Sequence, residues 1–104
     1  MRRFAHVSVP APPDDELEAV IRDAAGGDEL AAGAARRLLA LRELRPLGAG
    51  VFADAARHAA ERNAIEPAGE RTLAREAYGA YVERLMDGLD ERAQVRLREL
   101  VEAL

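Results

Sequence analysis

The chain has 104 residues, a formal net charge of −4, no cysteine, and basic side chains that are all arginine. That inventory excludes a disulfide framework, a thiolate zinc site, a thiol nucleophile and any chemistry that needs a lysine, whether a Schiff base or a phosphate-binding loop. The length suits one domain with one core, burying roughly two-thirds of the surface its unfolded chain exposes.

Only four residues are aromatic, against 23 alanines and 13 leucines. A core of small, unbranched side chains favours closely packed helices, so the expected fold is an all-α compact bundle of four to five helices behind an extended N-terminal arm. The opening "MRRFAHVSVPAPP" has two arginines but no apolar run of signal-peptide length before its prolines. No run of about 18 apolar residues follows. A cytoplasmic chain without a membrane segment is expected.

Residues 1–13 read as an arm or tail: "FAHVSVP" alternates like a strand, and "PAPP" holds the chain extended. Such an arm either stays mobile or lies along its own or a neighbouring subunit. Residues 14–104 are expected to form a single helical domain. The first helix starts at Asp14 as cap, turns Leu17, Val20, Ile21 and Ala24 inward, and stops at Gly26-Gly27. Asp28 caps the second, "ELAAGAARRLLALRELR", which ends at Pro46 and has a broad apolar face of Leu30, Ala34, Leu38 and Leu41, widened by Leu39 and Leu44. This is the expected central helix.

The turn "PLGAG" leads into a third helix over about residues 50–63, with Phe52, Ala55, Ala56, Ala59 and Ala60 buried. Ile65, in the link "NAIEPAGE", is expected to plug into the core. A fourth helix covers about residues 70–87. Beyond it the apolar positions keep helical steps to Leu104, as in one long helix with a coiled-coil seam. The turn signal Asp87-Gly88 and the cap Asp90 favour a break instead, with a fifth helix that turns Ala93, Leu97, Leu100, Val101 and Leu104 inward.

Reactive constellations are few. Asp54, His58 and Glu61 share one stripe of the third helix, opposite the alanine face, and read as a solvated face more readily than as metal ligands. Ser8 and Thr72 are the only aliphatic hydroxyls, and neither sits in a nucleophile turn; Thr72 suits a local bond to backbone. "PLGAG" precedes a helix but follows no strand and matches no nucleotide fingerprint. Arg36, Arg37, Arg42 and Arg45 are scattered around the second helix, and Arg42 is expected to meet a carboxylate on a neighbouring helix. No catalytic residue, cofactor or metal site is expected, and nucleic-acid binding is disfavoured because no segment concentrates positive charge.

The stretch "VFADAARHAAERNAIEPAGERTLAREAY" resembles the small helical segment at the C-terminal end of light-independent protochlorophyllide reductase subunits, through Phe52, Ala59, Glu61, Leu73 and Ala77. The resemblance covers about a quarter of the chain and implies a helix, a link and a second helix. The link is longer here and the cluster-binding cysteines are absent, so no activity or cofactor is carried over.

The remaining signal is apolar. Tyr78, Tyr81, Val82, Leu85 and Leu89 follow helical spacing, and Met86 adds an adaptable side chain. They belong either to the monomer core or to a face covered by another subunit. The candidate interface is Tyr78, Tyr81, Leu85, Met86, Leu89, Leu97, Leu100, Val101 and Leu104. The expected function is a small non-catalytic interaction module working through helix-to-helix contacts with a protein partner or with itself, as a homodimer. A regulatory nucleic-acid binder, or a subunit completing an enzyme on another chain, are the alternatives.

Overall fold

The computed structural model describes residues 12–104. Within them are five α-helices and no strand: α1 Asp14–Ala25, α2 Glu29–Arg37, α3 Ala49–Ile65, α4 Glu70–Ala77 and α5 Glu91–Glu102. The expectation of an all-α bundle therefore holds, while the arm, with His6 and Ser8, lies outside the described residues except at its C-terminal prolines. Among the described residues no helix is long and apolar enough to cross a membrane.

Local signals set most boundaries. Gly26 ends α1 in the left-handed region at φ 60°, where a Cβ would be strained. Asp28 caps α2 by accepting from the Ala31 amide at 3.0 Å. Asp90 does the same for α5 through Ala93 at 2.8 Å. Asp14 is not the α1 cap. Helical hydrogen bonding already begins at the Pro13 carbonyl, which accepts from the Glu16 and Leu17 amides. Asp14 is instead in the first turn, and its carboxylate pairs with Arg42 at 2.5 Å, the cross-helix pairing expected of Arg42.

Helix α2 is the centre of the bundle, in contact with α1, α3 and α4. Its residues Ala31 to Ala35 are all buried, so neighbours approach it from every side. At Gly33 the approach is closest: a Cβ there would stand 1.9 Å from Glu70 Oε1 of α4. The second helix is shorter than expected, because from Leu38 to Glu43 the backbone tightens into a 3₁₀ turn. Leu38 and Leu41 remain buried there, but Leu30 is 44% exposed. The α2 core face is made by alanines, and Leu30 in the first turn lies off it.

One hydrophobic cluster joins the helices, and its largest fully buried side chains are Phe52, Leu17, Ile21, Leu38, Leu41, Leu73 and Val82. Burying each is worth about 1.5–3 kcal/mol. Ile65 is not among them. It is 86% exposed at the end of α3, and the core is closed without it.

Arginine forks tie the helices from outside. Arg36 binds Glu18 across α2 and α1, Arg37 binds Glu70 across α2 and α4, and Arg62 binds Glu76 across α3 and α4. The hydrogen bond from Arg36 holds the Glu18 carboxyl below its ordinary value despite some desolvation. Exposed pairs of this kind contribute little stability singly; they fix which face meets which.

Asn63 is a polar rivet. Its amide donates to the second Asp28 oxygen at 3.0 Å, and its own oxygen accepts from the Ala68 amide at 2.9 Å. The α2 cap is thereby bound to the α3–α4 link. The Asn63 hydrogen bond, followed by the Ala31 amide, keeps the Asp28 carboxyl below its ordinary value of 3.8. Because the folded value is depressed, the stability Asp28 supplies is present above that ordinary value and is lost as pH falls through the depressed one. Asp28→Ala is expected to cost about 1 kcal/mol at neutral pH. Asp28→Asn should flatten the fall in melting temperature below about pH 4. A variant with an unaltered acid limb in thermal melts would contradict this account.

Candidate functional site

The fourth helix does not run on to residue 87. Tyr78 to Val82 form one wide π turn, in which the Glu83 amide donates to the Tyr78 carbonyl five residues earlier. A tight 3₁₀ turn, Glu83–Met86, follows. Gly79, a poor helix former, sits in the wide turn. A wide turn followed by a tight one breaks the α-helical phase on which an even apolar stripe depends.

The expected stripe is consequently divided. Val82 and Met86 are buried, Tyr78 is half-buried against the core, and Tyr81 and Leu85 are exposed at 37% and 41%. Burial pushes the Tyr78 phenol up, and Glu83 adds to the effect. Tyr81 lies edge-on to His58 of α3, with ring centroids 5.5 Å apart. On the same stripe of α3, Asp54 is paired with Arg57 at 2.9 Å. Among the described residues no group of three or more acidic or histidine side chains is placed to hold a metal. Thr72 is exposed.

The chain then turns. Asp87 is extended and Gly88 takes φ 84°, a conformation open to glycine. Arg45 secures the near side of this turn, donating to the Leu85 and Asp87 carbonyls at 2.7 and 2.9 Å. These are acceptors that the end of a helix leaves unpaired. The break expected near residues 87–90 is real, and α5 is a separate helix.

No residue of α5 itself is fully buried. It lies against the 3₁₀ turn Leu38–Glu43, with Leu97, Leu100 and Val101 half-covered by the core and Leu104, just past its end, buried at 3% exposure. Ala93 is half-buried, as is Leu89, which packs against the core just after the turn. Val95, on the opposite side, is 47% exposed. Polar ties complete the attachment. Arg96 grips both Glu43 oxygens at 2.7 and 3.0 Å, and Arg71 and Arg75 of α4 donate to the Glu102 carbonyl at 2.9 and 3.2 Å. The grip on Glu43 is the main reason the Arg96 guanidinium holds its proton more firmly than usual.

Clefts run along both sides of α5. One, of about 360 Å³, is lined by Tyr78, Glu83, Leu97, Arg98 and Val101 among others. The other, of about 400 Å³, lies between Glu43 and Leu44 on one wall and Asp90, Arg92, Ala93 and Arg96 on the other. Helix α5 is thus far less buried than α2, where five consecutive residues are buried.

The nine candidate interface residues thus fall into three groups. Met86 and Leu104 are buried. Tyr78, Leu89, Leu97, Leu100 and Val101 are half-covered, while Tyr81 and Leu85 face outward. The four arginines of the expected second helix form no open basic patch, since Arg36, Arg37 and Arg42 hold carboxylates and Arg45 holds carbonyls. Arg45, Arg71 and Arg75 act as caps of helix ends that the sequence does not reveal, because nothing in the local residues signals such long-range contacts. The exposure of Val95 is different: its place opposite the Leu97 stripe follows from helical pitch. Compared with protein-family models, curated protein sequences and solved structures, the chain matches none.

Proposed function

We propose that this chain is a small, non-catalytic protein–protein interaction module, acting in the cytoplasm as a homodimer through helix-to-helix contacts of its C-terminal third. What supports the reading is one contrast. Helices α1 to α4 enclose a closed core, whereas α5 and the segment leading into it leave apolar side chains half-covered or exposed: Tyr81, Leu85, Val95 and the Leu97–Leu100–Val101 stripe. Leu30 and Ile65 stand exposed singly on α2 and α3, as scattered apolar side chains commonly do. Tyr81, Leu85 and Val95 instead lie within one short stretch of chain, and apolar surface gathered in that way is the usual mark of a contact surface. The arginine forks engaged on carboxylates and carbonyls argue against a nucleic-acid role.

The test is light scattering coupled to size exclusion over a concentration series. A mass of two chains, falling towards one on dilution, is the expected result. A single-chain mass at every concentration would refute self-association, and recovery with an unrelated protein would move the reading to an accessory subunit.

A further inference from the structure

Building on the homodimer proposed above, we infer that the two copies pair by exchanging α5, each copy's helix docking on the other's bundle. The occupant is thus a second copy of this chain, and the surface it fits is the one α5 already covers.

Four observations carry this. First, the receiving surface is complementary to α5 by construction of the chain itself. Glu43 for Arg96, Arg71 and Arg75 for the Glu102 carbonyl, and the seats of Leu97, Leu100 and Leu104 are the same in every copy. Exchange preserves each of these interactions and requires no new ones, which makes it a low-cost route to a dimer. Second, α5 is separable. It has no fully buried residue of its own, and clefts flank it on both sides. Of the fully buried core residues only Leu104 lies beyond residue 86, while Leu89, Leu97, Leu100 and Val101 pack against that core from its edge.

Third, a hinge lies in the right place. The chain reverses through Asp87, Gly88 and Leu89, with Gly88 at φ 84°. Glycine passes between this conformation and an extended one without steric cost, so the turn can straighten. Fourth, the hinge is bordered by Leu85, an exposed leucine that the single chain leaves uncovered. In an exchanged dimer the two hinges run side by side about the twofold axis, so the Leu85 side chains of both copies meet there. Burial of these two leucines at the crossing is what the exchanged dimer has and the closed chain lacks.

The experiment uses the full chain with Glu43→Cys and Arg96→Cys together, both at exposed positions of a protein that has no other cysteine. A short bis-maleimide links the two sites, and a denaturing gel reports which chains were joined. Circular dichroism and light scattering before linking confirm helicity and mass. At concentrations where scattering gives a dimer, exchange predicts that most of the linked product runs at twice the chain mass. On dilution to monomer it should run at one chain mass. As a second readout, Gly88→Ala disfavours the closed turn and should lower the concentration at which half the protein is dimeric by several-fold. A dimer by scattering whose linked product runs at one chain mass overturns the exchange while leaving the homodimer standing. A monomer at all concentrations overturns both.

Discussion

Replacing Phe52 by alanine is expected to lower stability by about 3–5 kcal/mol, the largest loss available from a single truncation in this chain. Phe52 is fully buried and heads the largest side chains of the core. Most of the other buried residues of α2 and α3 are alanines, Ala31, Ala32, Ala34 and Ala35 on one helix and Ala55, Ala56 and Ala59 on the other. Alanine has no rotamer that can swing into a void, so the space left by the ring can be filled only by the fewer large side chains of the cluster, such as Leu17 and Ile21, or by a shift of whole helices. For a domain whose total stability is about 5–15 kcal/mol, that removes a large fraction, and the melting temperature should fall by roughly 15–30 °C. Urea titration of Phe52→Ala beside Phe52→Leu measures it. A loss below about 1 kcal/mol would mean that the bundle collapses around the site and that its core is loosely packed.

The second large effect is expected from Leu97→Asp with Leu100→Asp. These leucines are half-buried on the inner stripe of α5, and the exposed ties around them, Arg96 to Glu43 and the two arginines on Glu102, are too solvated to hold the helix alone. With two carboxylates on the stripe, α5 should leave the bundle. A free helix of its 12 residues is marginal in water, so far-UV dichroism should lose about the share of α5 while a cooperative melt of α1 to α4 remains. Association should be abolished at the same time. Complete unfolding would show α5 to be integral to the core, and unchanged mass and helicity would show that it packs on nothing.

Much of this architecture is legible in the residues, for local reasons. Gly26 after α1, Asp28 before α2, and Asp87-Gly88 with Asp90 before α5 each act within one turn of chain, so a short window contains their cause. Phe52, Ala55, Ala56 and Ala59 are legible because an α-helix of ordinary pitch carries them. The misplacements come from forces that no short window contains. Size alone turns Leu30 inward, yet alanines define the α2 core face, since three other helices must crowd it. Hydrophobicity alone turns Ile65 inward, although it lies at the tip of α3, where no helix passes. A constant 100° step puts Tyr81 and Leu85 on one stripe with Val82, and the wide turn at Tyr78–Val82 breaks that step. For the proposed interaction surface, the division of its side chains between core and solvent is not readable in the sequence.

The way α5 is fastened also governs how the molecule answers to solvent. Because α5 buries less apolar surface than α1 to α4, charged forks and carbonyl contacts make up a larger share of its attachment than of theirs. Guanidinium chloride is a salt and competes for the same carboxylates and carbonyls, while urea leaves charge attraction unscreened. The two denaturants therefore weigh the two halves of the protein differently, and midpoints from one cannot be converted into the other by a fixed ratio.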